Sequence, residues 1–173
     1  MRLFTLLFLS LHISLIAQVE QPKLVVGLVV DQMRFDYINR YWDEFSEGGF
    51  KRLVTEGYNC NNTNYNYIPT YTGPGHASIY TGATPSSHGI IANSWYDKNV
   101  EEYSYCVSDA EMNTIGADNE SGKMSPSKML NTTFGDELRL FTMNKSKVIG
   151  VALKDRSAVL PAGHMGDFAF WLD

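Results

Sequence analysis

The chain has little cysteine, no one-sided charge and no long apolar run in its body. Only two of its 173 residues are cysteine, Cys60 and Cys106. They are too few and too far apart for a zinc ribbon or a redox Cys-x-x-Cys pair. Fourteen Lys plus Arg stand against nineteen Asp plus Glu, a net charge of -5, and no segment is a Lys/Arg run. Both facts argue against nucleic acid or an anionic membrane surface as the main partner. No internal transmembrane helix is expected, and neither a repeat nor a low-complexity tract is present. What is there is a globular composition: 44% hydrophobic, 13% aromatic and 19% charged. Its length suits about one domain with a core of its own.

The amino terminus is set apart. Arg2 is the only charge before Glu20, and residues 3–16 are mostly Leu, Phe and Ile, interrupted by Thr5, Ser10, His12 and Ser14. Ala17 then offers a small residue for cleavage. The pattern predicts a secretory signal over 1–18, with 19–173 as the folded portion and no stable membrane anchor after cleavage. No cysteine lies nearby to carry a lipid. Removing the segment takes away one Arg and leaves -6. Export implies a periplasmic or secreted protein and permits disulfides, so Cys60 and Cys106 are expected to form a bridge or, as the alternative, to be buried free thiols. In the chain-entropy model such a bridge contributes roughly 4 kcal/mol. Asn-x-Ser/Thr triplets begin at Asn61, Asn131 and Asn144 and matter only in a host that glycosylates.

Residues 23–30 form a β-branched apolar run without alternation, which predicts a strand buried on both faces. Helical spacing follows over 35–45, and a short helix is expected over 49–55. The Asn/Tyr-rich stretch 59–67 suits a loop or edge strand, and residues 79–81 suit a short helix. Residues 95–105 suit an irregular hairpin, and 109–123 are a polar surface excursion. Ser125 and Pro126 read as the cap and first turn of a helix running to about residue 142. Its apolar face would carry Met129, Leu130, Thr133, Phe134, Leu138 and Phe141. Residues 147–153 predict a second buried strand. The alternation predicts an α/β layered domain with a mostly parallel central sheet and helices on both faces.

Candidate functional residues follow from these placements. Asp31 ends the first expected strand, where ligands of open α/β sheets bind. It is placed either to hold a metal or to cap a turn. Thr72 precedes Gly73-Pro74-Gly75, beside the start of a helix near Pro74. Free amides and the dipole there favour an anion. Thr72 is therefore either a nucleophile toward a phosphoryl group, ionised with a metal's help, or an N-cap. His76 and His88 lack the spacing of a complete metal site, and His12 and His164 are remote. Both are expected to hold turns by hydrogen bonds. Asn93 is either a donor to a phosphate oxygen or a turn residue. Lys154 and Arg156 follow the second strand. As alternate residues of an extended segment they would face one anion, or else they are a solvated pair.

In order along the chain, several motifs carry a resemblance. They are Val30-Asp31, Pro69-Thr70-Tyr71-Thr72-Gly73-Pro74-Gly75-His76-Ala77-Ser78, Thr81-Gly82-Ala83-Thr84-Pro85 and His88-Gly89-Ile90. This pattern resembles the alkaline phosphatase superfamily, including its type I phosphodiesterase and nucleotide pyrophosphatase relatives. Asn93 with Lys154-Asp155-Arg156 narrows the likeness to secreted alkaline phosphatases with a threonine nucleophile. The resemblance implies hydrolysis of phosphate monoesters with two zinc ions. Asp31 and Thr72 would bind one zinc, and Thr72 would attack phosphorus to give a phosphothreonine. Asn93, Lys154 and Arg156 would hold phosphoryl oxygens. The family's other zinc ligands fall much farther along than Asp173, so the chain is expected to be the amino-terminal part of such an enzyme, inactive alone. A phosphodiesterase or nucleotide pyrophosphatase, or a non-catalytic phosphate-binding domain, are the alternatives. A sulfatase is disfavoured because no Cys/Ser-x-Pro-x-Arg nucleophile setting occurs.

Overall fold

A computed structural model describes residues 22–172. The expected signal segment 1–18 lies outside the described residues. The chain divides into two compact units, Met1–Val30 and Asp31–Asp173.

In the first unit, described over 22–30, the expected strand is not formed. Leu24, Val26 and Leu28 are 75% to 79% exposed, so the run is not buried on either face. An apolar run becomes a strand only when neighbouring strands accept and donate its ladder bonds. Residue pattern registers the capacity for a ladder but not the presence of its neighbours.

The second unit holds the regular elements. Helix α1, Tyr37–Arg40, is followed by a 3-10 turn at Trp42–Glu44. Together they replace the single helix expected over 35–45. Helix α2 is Phe50–Glu56, α3 is Thr72–Thr81 and α4 is the short Pro85–His88. Gly82 and Gly89 end α3 and α4 in the left-handed region, where a side chain would be strained. Strands β1, Ser94–Asp97, and β2, Glu102–Tyr105, pair as an antiparallel hairpin. This is more regular than the sequence suggests.

Helix α5 is Phe134–Phe141, much shorter than the helix expected over 126–142. A stronger start signal lies inside that range. Thr133 accepts from the Asp136 amide at 3.1 Å, and the Asp136 carboxylate accepts from the Thr133 amide at 2.7 Å. This reciprocal capping box satisfies two otherwise orphaned donors. Ser125 instead closes a local turn by accepting from the Ser127 amide. The apolar face also differs: Met129 is buried outside any helix, whereas Phe134 and Phe141 are 56% and 72% exposed.

Strand β3, Ile149–Val151, helix α6, Asp155–Ala162, and strand β4, Phe168–Phe170, form the parallel unit. The helix connects two parallel neighbours, the arrangement expected of an α/β fold. Ile149 faces Phe168, Gly150 faces Ala169 and Val151 faces Phe170 across the pair. Gly150 is buried, and a Cβ there would collide with the carbonyl oxygen of Ala158 on α6. The smallest residues of β3 and β4 thus point one way. The large ones, Ile149, Val151, Phe168 and Phe170, are each more than half exposed. The expectation of a strand over 147–153 buried on both faces is therefore corrected, because only the Gly150 side of β3 is covered.

Helices α3 and α6 pack against each other. Between them and the end of the hairpin lies the core of Ala77, Ile90, Cys106, Val107, Met129, Val159 and Leu160. Both cysteines are free, Cys60 exposed and Cys106 buried. The expected bridge is thus absent. Cys106 is a core side chain with none of its surface open, whereas Cys60 sits on an exposed loop. Asp167 fastens α5 to the parallel unit. Its carboxylate pairs with Arg139 and Lys147 and accepts from the Val148 amide. These donors, the Arg139 bond first, hold its carboxyl well below the usual carboxylate range.

Candidate active site

Helix α3 begins at Thr72, with Tyr71 as the extended N-cap. Thr72 is therefore the first helical residue and not the cap. Its hydroxyl, half-buried, donates to Asp31 Oδ2 at 3.1 Å across forty-one residues of sequence. The second Asp31 oxygen accepts from the Gln32 amide at 2.9 Å. Gln32 itself has φ +59°, an uncommon conformation for a non-glycine residue. The carboxylate is thus aimed by a tight turn and ends on the threonine.

Asn93 meets the same helix start. Its Oδ1 accepts from the Gly73 amide at 2.7 Å. That bond fixes which way the side-chain amide points and leaves Nδ2 as its donor. Space at position 73 is tight, so a larger residue would have to displace its neighbours by a few tenths of an ångström. A Cβ there would lie 3.2 Å from Ala92 O and Asn93 Oδ1 and 3.3 Å from Cys106 Sγ. Burial pushes the Cys106 thiol up to about 11. It is therefore protonated at neutral pH and serves as packing behind the site.

The two histidines hold structure, as expected. His76 is buried, and its Nδ1 lies 2.9 Å from the Thr72 carbonyl. Since a carbonyl only accepts, that nitrogen carries the proton. His88 is wholly buried between the Ile90 amide, 3.1 Å from Nδ1, and Ser78 Oγ, 3.0 Å from Nε2. The Ile90 donor requires an unprotonated Nδ1, so the proton is on Nε2. Burial lowers this imidazole's pKa.

Lys154 and Arg156 do lie past the carboxyl end of β3, but not on one extended segment. Lys154 is the exposed N-cap of α6, and Arg156 is in its first turn. Arg156 Nη1 donates to the Tyr105 hydroxyl at 2.9 Å, and that hydroxyl donates to Asp155 Oδ1 at 2.6 Å. Burial first, and then the bond to Asp155, raise the pKa of the Tyr105 phenol. Burial opposes the charge of Arg156, yet the bond to Tyr105 and nearby negative charge raise its pKa overall. The hydrogen bonds join Asp31 to Thr72 and Asn93 to the adjacent Gly73. Arg156 bonds instead to Tyr105, and its charge bears on the Cys106 thiol.

The sequence reading missed Tyr105 and Asp155. Asp155 was marked only by standing between the two cations. Tyr105 is fifty residues away, and nothing local flags it.

As a donor set, Asp31 and Thr72 offer two adjacent oxygens, which fits one side of a divalent cation. Among the described residues no group of three or more His, Cys, Asp or Glu is arranged around a common point.

Residues 25–165 match the sequence model of the family described as type I phosphodiesterase / nucleotide pyrophosphatase. The chain is 52% identical over 156 residues to alkaline phosphatase PafA of Elizabethkingia meningoseptica, covering 90% of this chain and 29% of that protein. It is 50% identical over 155 residues to alkaline phosphatase PhoV of Synechococcus elongatus, covering 90% and 28%. The crystal structure of wild-type PafA superposes with a TM-score of 0.87 at 52% identity, over 90% of this chain and 30% of that one. A further PafA structure bears substitutions at one threonine, one asparagine, one lysine and one arginine. Its threonine and asparagine stand twenty-one positions apart, and its lysine and arginine two apart. Thr72 and Asn93, and Lys154 and Arg156, have those same separations. The chain spans about 30% of the length of these relatives.

Proposed function

The chain belongs to the type I phosphodiesterase / nucleotide pyrophosphatase family, and on that premise we propose that it carries the nucleophile and phosphate-binding half of a phosphate monoesterase. The observation that carries the reading is the Thr72 hydroxyl, placed at the start of α3 and bonded to Asp31 at 3.1 Å. The likeness to two alkaline phosphatases and the matched residue separations support it.

In this mechanism Thr72 Oγ1 attacks phosphorus in line, and the alcohol leaves from the opposite side. A phosphothreonine forms, and water then attacks it, freeing phosphate and restoring the hydroxyl. Asn93 Nδ2 donates to a phosphoryl oxygen, with its orientation held by the Gly73 amide. Arg156 and Lys154 supply the positive charge that a monoester dianion demands. Electrostatic stabilisation is the main catalytic term in phosphoryl transfer, so positioning of these donors decides the rate. Asp31 and Thr72 would be two ligands of one zinc ion of a pair. When bound, such a pair supplies charge that favours the ionised hydroxyl and the departing oxygen. Completing the two-zinc site requires ligands outside the described residues.

The amino-terminal pattern supports export, hence a periplasmic or secreted enzyme. Among the described residues no helix is long and apolar enough to cross a membrane. The partner is then a phosphate monoester.

The test compares initial rates on an aryl phosphate monoester and the matching diester, using zinc-loaded protein expressed from the whole reading frame. The expected result is a strong monoester preference that Thr72→Ala lowers by at least about 10³-fold. A diester preference would transfer the protein to the phosphodiesterase branch and remove the role given to Lys154 and Arg156. Activity indifferent to Thr72→Ala would end the nucleophile assignment.

A further inference from the structure

The Arg156 side chain is held by an arrangement that the hydrolytic reading alone does not require. Asp155 is its immediate neighbour in sequence, and the two opposite charges are 3.9 Å apart, just outside a direct hydrogen bond. Between them stands the Tyr105 hydroxyl, accepting from Arg156 Nη1 at 2.9 Å and donating to Asp155 Oδ1 at 2.6 Å. The same carboxylate oxygen accepts from the Arg156 backbone amide at 2.6 Å. All three side chains are shielded: Asp155 and Arg156 retain 18% and 22% of their side-chain surface, and Tyr105 packs on the core. Arg156 Nε is buried without a partner, so the guanidinium is not saturated by the protein.

A guanidinium this near a carboxylate ordinarily forms a two-pronged ion pair. Such a pair would occupy the two donors best suited to a phosphoryl group. Here one tyrosine hydroxyl stands between the two charges, taking a single hydrogen bond from the arginine and giving its own to the carboxylate. We propose that Tyr105 is a positioning residue: it keeps Arg156 from closing onto Asp155 and so leaves part of the guanidinium unpaired, available to the substrate phosphoryl group. This rests on the reading that Arg156 meets that group. Tyr105 touches no reacting atom, and its effect passes entirely through Arg156.

The prediction is specific because removing the hydroxyl does more than delete one bond. In Tyr105→Phe the ring still fills its place, but Asp155 is free to capture the arginine. Loss of a charge-assisted hydrogen bond corresponds to roughly tenfold or somewhat more in binding. Adding Asp155→Asn removes the capturing charge and should return most of what was lost.

The experiment uses zinc-loaded protein from the whole reading frame and four variants: Arg156→Ala, Tyr105→Phe, Asp155→Asn, and Tyr105→Phe combined with Asp155→Asn. It reads kcat/KM for an aryl monoester and the matching diester, calorimetric Kd for inorganic phosphate, and Tm as a check on folding. The expected result is that Tyr105→Phe weakens monoester kcat/KM and phosphate binding about tenfold, changes diester turnover less than about twofold, and is largely rescued in the double variant. Equal losses on monoester and diester, or a double variant weaker than Tyr105→Phe, would mark Tyr105 as a packing residue and overturn the proposal. An Arg156→Ala variant that loses monoester activity beside an unaffected Tyr105→Phe would overturn it while leaving the phosphatase reading intact. An unaffected Arg156→Ala variant would remove the role given to Arg156 and this proposal with it.

Discussion

His88 shows what one buried side chain fixes. Its imidazole has no exposed surface and is held neutral between the Ile90 amide and Ser78 Oγ. Because burial lowers its pKa, the unfolded chain binds this proton more readily than the folded one. Stability therefore rises with pH through the ordinary histidine range and falls as pH drops below about 6.5. Protonation would also cost the Ile90 bond, since Nδ1 could no longer accept. Thermal melts between pH 7.5 and 5.5 should show Tm falling toward acid, with a flatter slope in His88→Asn. The carboxylates act in a different window. Asp167, with its pKa held low, contributes stability above the ordinary carboxylate range and loses it only in stronger acid. The crowded helix start at Thr72 was legible from its glycines and proline, whereas the bond that brings Asn93 to Gly73 spans twenty residues and had no local signal. Tyr105 was not legible either, since its partners lie fifty and fifty-one residues away.

At the scale of elements, the contact of β3 with α6 is set by one glycine. A side chain at Gly150 would enter the Ala158 carbonyl, which is backbone and cannot swing aside. Gly150→Ala should destabilise the fold by about 3 kcal/mol, the upper part of the overpacking range. Its denaturant midpoint should drop without loss of the β1–β2 hairpin signal. A midpoint within error of the parent would mean that the strand and helix separate more easily than their packing implies. The same contact explains what sequence reading got right and wrong here. Val148, Ile149 and Val151 announced a strand, but the helix Asp155–Ala162 was not anticipated, because Lys154 and Arg156 were read as one extended segment. The apolar pattern also suggested burial on both faces, but Gly150 and Ala169 face the helix and the bulky residues do not. The start of α5 was misplaced for a related reason. Ser125-Pro126 and Thr133 to Asp136 are both respectable start signals, and only the second has its reciprocal bonds. The run 23–30 was misread because strand-forming residues need ladder partners that a single segment cannot reveal.

At the scale of the molecule, the open face of the parallel pair dominates. Ile149, Val151, Phe168 and Phe170 form an apolar surface on the side of the sheet away from Gly150. Phe168 and Phe170 stack with their ring centroids 5.8 Å apart, making that surface continuous. Patches of this kind promote association in water. The 173-residue chain should bind a hydrophobic dye such as ANS and should sediment faster as its concentration rises. Val151→Lys with Phe170→Glu, opposite each other in register, should reduce both. Dye binding unchanged in that pair would place the exposed surface elsewhere, with the run 23–30 as the next region to test.

The hydrogen bonds of the site also determine when it can exist. Thr72 reaches forty-one residues back to Asp31, Gly73 reaches twenty forward to Asn93, and Arg156 reaches fifty-one back to Tyr105. None of these is a neighbour that a growing helix or hairpin finds for itself. Each is a loop that must be closed before its bond is formed, and long-range closures come slowly relative to local structure. Local secondary structure therefore forms ahead of these long-range bonds. Thr72, Gly73 and Arg156 meet these partners only once their loops have closed, later than the local bonds of the helices and the hairpin.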